Sequence, residues 1–283
     1  MLEHFLKSSP LIAALWISSQ TLAQNADSRP EPKSTPPLIR AHAHNDYEHA
    51  HPLQDALDRG FCSIEPDVWL VEGRLLIAHD RGGVKSDRTL QSLYLDPLRE
   101  RVRRNGGRVY PRGPGIVLLV DVKSDGEKTY GALRDVFKEY SDMLTVFRDG
   151  KVRTNAVTVI ISGNRAVQTM ASESLRYAFV DGRLQDLENN PANALVPLIS
   201  DNWNDVFKWR WNGSMPDADK KKLKAIVEQA HAQGRKLRFW ATPDKPEVWK
   251  TLFDAGVDLI NTDQLEGLQE FLLNESSKGA SGP

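Results

Sequence analysis

Gly115-Ile116-Val117-Leu118-Leu119-Val120-Asp121-Val122-Lys123 is an apolar run of strand length closed by two charges. A strand with one wet face alternates apolar and polar residues. One that is apolar throughout belongs to a parallel sheet covered by helices on both sides. Similar runs occur at 37–42, 61–70, 74–79, 156–162, 176–181, 194–200, 235–241 and 257–261. Several intervening segments carry a helical period instead. Pro52 opens one, with Leu53, Ala56 and Leu57 on a shared face and Gly60 as its stop. Tyr130, Leu133, Phe137 and Tyr140 form a second stripe, and Leu223, Ile226, Val227 and Ala230 a third. Val248, Trp249, Leu252 and Phe253 repeat the pattern, as do Leu265, Leu268, Phe271 and Leu272. About eight strand–helix units in roughly 240 residues predict a single-domain (β/α)₈ TIM barrel over 37–273, with an open doubly wound sheet as the alternative.

Such a barrel gathers its chemistry at the C-terminal ends of its strands. The polar residues follow that rule. His42, Glu65 with Asp67, Asp121 with Lys123, Ser162, Asp181, Asp201 with Asn202, Trp240 and Asn261 each close an apolar run.

The densest of these closures is Ser63-Ile64-Glu65-Pro66-Asp67-Val68-Trp69, followed by His79 and preceded by Ala41-His42-Ala43-His44-Asn45. Residues two apart in a strand share a face and lie about 7 Å apart. Glu65 and Asp67 therefore project together and repel unless a cation lies between them. Acids at a strand end, bracketed by histidines, read as a metal-assisted acid–base site.

Composition narrows the field. The chain has 283 residues and a formal net charge of −1, giving no reason to expect a nucleic-acid surface. The apolar run 10–17, preceded by Lys7 and followed by Thr21-Leu22-Ala23, predicts a signal peptide cut after Ala23 and a secreted or periplasmic protein. A lipid-facing anchor or amphipathic tail is the alternative reading. Residues 24–36 read as a flexible linker and 274–283 as a disordered tail. Cys62 is the single cysteine, so no intrachain disulfide forms, and it reads as a buried apolar residue.

Over about 38–272 the chain resembles the glycerophosphodiester phosphodiesterase and phosphatidylinositol-specific phospholipase-C-like superfamily, in the branch near sphingomyelinase D. The resemblance rests on five motifs: His42-Ala43-His44-Asn45, Ile64-Glu65-Pro66-Asp67-Val68, Leu119-Val120-Asp121-Val122-Lys123, Phe239-Trp240-Ala241-Thr242 and Asp254–Thr262, with His79 matching the second catalytic histidine. The chain also departs from its relatives. Ala43 stands where ordinary glycerophosphodiesterases follow the first histidine with arginine, and the loop cysteines of the venom enzymes are absent.

The resemblance implies a metal-dependent phosphoric diester hydrolase acting on a phosphodiester or phospholipid-derived substrate. Glu65, Asp67 and Asp121 are then the metal ligands, hard oxygens suited to Mg²⁺ or Ca²⁺. His42 and His79 are the expected acid–base pair, with His44 ranked behind them. Lys123, Trp240, Asn261 and Asn45 are the expected substrate-binding residues, each also readable as an ion-pair, packing or capping residue. Trp203, Trp209 and Trp211 read first as packing over the barrel mouth, with transient seating at a membrane surface as the alternative. Two rivals differ in class. Zinc amidohydrolase chemistry fails because His231 alone follows His79 and zinc favours nitrogen ligands. The other rival is a barrel that binds a phosphorylated ligand without turnover. Oligomeric state is not legible in the sequence.

Overall fold

The computed structural model describes residues 35–280. The expected export segment, and all but the last two residues of the expected linker, lie outside the described residues.

Eight parallel strands pair in chain order and close on themselves. They are β1 (Leu38–Ala43), β2 (Phe61–Ile64), β3 (Ile116–Val122), β4 (Val157–Gly163), β5 (Ala178–Gly182), β6 (Leu198–Asn202), β7 (Lys236–Trp240) and β8 (Leu259–Thr262). The β2–β3 and β8–β1 ladders complete the ring, so the barrel expectation holds and the open sheet is excluded.

Side-chain alternation divides each strand between two environments. Leu119, Ile160, Phe179, Leu198 and Leu259 form a small apolar cluster of their own, separate from the large core beneath the helices. Two residues further along the same strands stand Asp121, Ser162, Asp181, Ser200 and Asn261. The barrel interior thus changes from apolar to polar within one step of the strand period, at its C-terminal end.

Three expectations need correction. The run 61–70 is not one strand. It breaks at Glu65-Pro66, where proline offers no N–H to the ladder, and resumes as Asp67–Val71. Arg74–Ile77 is not a barrel strand either, because it pairs antiparallel with Asp67–Val71 in a hairpin. Glu72 and Gly73 both take positive φ at the tip, as a two-residue hairpin turn requires. Finally, the last helix runs Leu265–Ala280, beyond the boundary at 273 and into the segment expected to be a disordered tail. Its final turns are held by Ser276 Oγ donating to the Leu272 carbonyl, Ser277 Oγ to that of Asn274, and a Lys278–Glu275 ion pair.

The tryptophans follow the packing reading. Trp203 is 0% exposed, stacked on Phe207 at 4.1 Å and against Trp211 at 4.4 Å between ring centroids. No helix among the described residues is long and apolar enough to cross a membrane.

Candidate active site

The break after β2 places the acids. Glu65 follows the last residue of β2, and Asp67 begins the hairpin in register with Asp121 of β3. One oxygen or more from each of Glu65, Asp67 and Asp121 falls within 4.8 Å of the others. The structure therefore brings together the three acids expected as ligands, from separate parts of the chain.

Their partners account for only some of these oxygens. Lys123 Nζ donates to Asp121 Oδ2 at 2.6 Å and lies 3.1 Å from Asp67 Oδ2. Tyr47 OH lies 2.7 Å from Asp67 Oδ2. Asp67 Oδ1 and Asp121 Oδ1 are buried with no hydrogen-bond partner among the described residues. Three carboxylates within 4.8 Å of one another, two of them with orphaned oxygens, fit a hard divalent cation, for which all-oxygen donors are suited. Gly163 keeps the space open. It sits at φ +64°, and a Cβ there would lie 2.0 Å from Asp121 Oδ1. Burial pushes the Asp67 carboxyl up to about 6, with Lys123 opposing and Asp121 adding to the rise. Lys123 is held above its ordinary value, because Asp121 and Asp67 outweigh its burial.

The histidines are arranged differently from the expectation. His42 is 0% exposed, with Nδ1 2.7 Å from Ser63 Oγ and Nε2 2.7 Å from Glu65 Oε2. With Glu65 ionised, Nε2–H donates to it and Nδ1 accepts from the serine, so neither nitrogen is free to exchange a proton with substrate. Burial, then the nearby Arg238, lowers His42 to about 4 and keeps it neutral. The expected pairing of His42 with His79 across the site is therefore corrected. His42 is sealed beneath Glu65.

His44, two residues on and just past β1, lines the cavity instead. Its Nδ1 lies 2.7 Å from Asp263 Oδ1, which leaves Nε2 for the cavity. Burial acts to lower this imidazole, but the Asp263 hydrogen bond, with help from Glu65, raises it above the ordinary histidine value. His79 follows the hairpin, its side chain 63% exposed, with Nδ1 3.2 Å from Tyr47 OH and 3.4 Å from Asp67 Oδ2. Both His44 and His79 thus have Nδ1 anchored beside a carboxylate, the arrangement that fixes a tautomer.

Arg238 is the largest feature that sequence reasoning missed. Its side chain is 2% exposed, and it donates through Nη2 to Glu65 Oε2 and through Nε to Asn261 Oδ1 at 3.0 Å. Burial alone would raise Glu65, yet Arg238 and the His42 hydrogen bond hold it well below the usual carboxylate range. The available signal was parity, since Arg238 lies two residues before Trp240 and shares its face. Asn261 is buried, and its Oδ1 accepts from Arg238. Asn45 adopts a left-handed φ of 45° and accepts from Tyr47 OH, so it supports the tyrosine.

The remaining wall belongs to Lys123, Ser162, Arg183 and Trp240, around a cavity of about 290 Å³ shared with His44, Glu65, Asp121 and Arg238. Lys123 and Trp240 therefore stand where substrate-binding residues were expected. A larger groove of about 590 Å³ between the helices Asp217–Ala232 and Pro246–Ala255 lies away from all of these groups.

Known proteins share this architecture. The chain is similar to the altered inheritance of mitochondria protein 6 homolog of Arthroderma benhamiae, at 28% identity over 92% of this chain and 94% of that protein. It is also similar to altered inheritance of mitochondria protein 6 of Lachancea thermotolerans, at 31% identity over 80% of this chain and 64% of that one. A solved glycerophosphodiester phosphodiesterase from Parabacteroides distasonis superposes with a TM-score of 0.52 at 14% identity, covering 84% of this chain and 98% of that one, a likeness of fold. Residues 236–266 match the glycerophosphoryl diester phosphodiesterase family. Residues 34–181, just over half of the sequence, match the AIM6-like phosphodiesterase domain, and the chain belongs to that family.

Proposed function

We propose that this protein is a metal-dependent phosphoric diester hydrolase that cleaves a diester of a lipid or lipid-derived headgroup, outside the cytoplasm. The observation that carries the reading is the junction of two arrangements. Three acids converge with two buried oxygens unpartnered among the described residues, and two carboxylate-anchored imidazoles border them. The signal segment read from the first 23 residues supports the location.

Glu65, Asp67 and Asp121 would hold the divalent cation, which supplies charge neutralisation at a phosphoryl oxygen when bound. Lys123 adds a fixed positive charge beside the same oxygens. His44 and His79 then divide the proton work. Water or a substrate hydroxyl attacks phosphorus and loses its proton to one Nε2, while the other imidazolium protonates the leaving alcohol oxygen as its P–O bond breaks. His42 and Arg238 hold Glu65 ionised and fixed.

The test is turnover of bis(p-nitrophenyl) phosphate by chelator-stripped protein, before and after addition of Mg²⁺, Ca²⁺ or Mn²⁺. Rate is expected only with a cation, and the cation is expected to raise the melting temperature, since ligands of the native state stabilise it. Asp121→Asn should lose both responses. Full rate in the stripped protein would refute metal dependence, and silence with all three cations would favour the binding barrel without turnover.

The pH profile offers a separate check. Asp263→Asn puts a neutral amide in place of the carboxylate whose hydrogen bond and charge raise His44. One limb of the bell-shaped kcat/KM profile should move to lower pH while the other stays. An acidic limb that moves makes His44 the base, and a basic limb makes it the acid. If neither limb moves, His44 takes no part in the proton transfers.

A further inference from the structure

Among the described residues, one cation of the cavity wall keeps an edge that the site does not consume. Lys123 is spent on Asp121 and Asp67, and Arg238 on Glu65 and Asn261. Arg183 is held from behind. Its Nη1 donates to Asp181 Oδ2 at 3.0 Å and to the Gly182 carbonyl at 2.8 Å, while Nε and Nη2 have no partner among the described residues. Its guanidinium lies 5.0 Å from the ring centroid of Trp240, and both residues line the cavity.

The support is rigid. Asp181 is fully buried and accepts from Ser162 at 2.7 Å, from Ser200 at 2.6 Å and from Arg183. Arg183 also keeps 27% of its side chain exposed, so one edge is fixed in the protein and the other faces the opening. A planar guanidinium, oriented on an indole and anchored by one nitrogen, presents its remaining N–H groups as a fork for anionic oxygens. Neutralising Asp181 needs only the anchored edge. The stacking on Trp240 and the free edge require another explanation.

We propose that Arg183, braced by Asp181 and Trp240, binds a second anionic group of the substrate, a phosphate monoester or carboxylate on the alcohol portion, beyond the scissile diester. This rests on the phosphodiesterase reading and narrows it. The preferred headgroup is anionic rather than a quaternary amine, because two cations bind poorly in one small cavity of about 290 Å³.

The experiment compares kcat/KM on glycerophosphocholine, glycerophosphoglycerol, glycerophosphoserine, and glycerophosphoglycerol bearing a terminal phosphate monoester. The terminal phosphate is expected to raise kcat/KM about tenfold or more over the unphosphorylated diester, and the choline diester to be the poorest of the four. A gain confined to the phosphate ester assigns a phosphate site, and one shared with the serine diester assigns a general anion site. Arg183→Met should bring the ratio between phosphorylated and unphosphorylated diesters close to one, and Arg183→Lys should restore part of it. A purely structural arginine would lower stability and leave that ratio alone. Cleavage of all four diesters at similar rates, or a ratio that survives Arg183→Met, would overturn the subsite and leave the phosphodiesterase reading standing. Absence of any cleavage with a divalent cation would overturn both.

Discussion

Replacing His44 with alanine is expected to lower diester turnover by about 10²–10⁴-fold, the range for loss of a general acid or base. The melting temperature should change little, because the His44 side chain is 28% exposed and its partner Asp263 is more exposed still. His42→Ala should behave in the opposite way. It empties a buried position and leaves Ser63 and Glu65 each short of a partner, at a cost of about 2–4 kcal/mol. If Glu65 holds the proposed cation, the effect on rate runs through its grip, since losing a hydrogen-bond partner of such a carboxylate costs about 10–100-fold. That deficit should shrink as the cation concentration rises, whereas the His44→Ala deficit should not. A His42 variant inactive at saturating cation, beside a His44 variant of nearly full rate, would return the proton chemistry to His42.

The largest stability effect is expected at Arg238. Among the described residues it is the one arginine or lysine donating to buried Glu65, which carries its charge inside the barrel. Arg238→Met should cost about 3–5 kcal/mol, since breaking a buried pair from one side strands the other charge. In a chain of this size that corresponds to a fall in melting temperature of roughly 6–20 °C. The double variant Glu65→Gln with Arg238→Met should lose clearly less than the sum of the single losses, because the stranded charge is gone. Thermal unfolding of the four proteins measures this directly. A single Arg238→Met cost under about 1 kcal/mol would mean that the pair contributes little.

The sequence carried the barrel through its rhythm. Continuous apolar strands, amphipathic helices and polar closures are backbone-level signals that survive without knowledge of contacts. Tertiary pairing was not visible in that rhythm. Arg74–Ile77 has the composition of a barrel strand but pairs antiparallel beside the barrel, and only its partner decides this. Gln91–Leu95, a π-helical turn, leads into the helix Asp96–Arg104, whose charges (Arg99, Glu100, Arg101, Arg103, Arg104) mask a narrow buried stripe of Leu98 and Val102.

The site divides along the same line. Glu65, Asp67 and Asp121 were legible because unpaired acids at strand ends are costly to bury and demand a reason. The difference in setting between His42 and His44 was not. Both share a face two residues apart, and what separates them is that Ser63, in register beside His42, caps one nitrogen while Glu65 takes the other. Arg238 was hidden by its strand, where an internal charge looks like an exposed edge until the barrel closes around it.

The hairpin Asp67–Ile77 carries a consequence of its own. Asp67 begins one leg and His79 follows the other, and the Ala78 N–H donates to the Asp67 carbonyl at 3.3 Å across its base. Under the proposed function, a cation ligand and a proton-carrying imidazole thus travel on one lever. Any motion or redesign of that lever would then change ion affinity and proton delivery in concert, and a variant of this segment would carry the two traits as a linked pair.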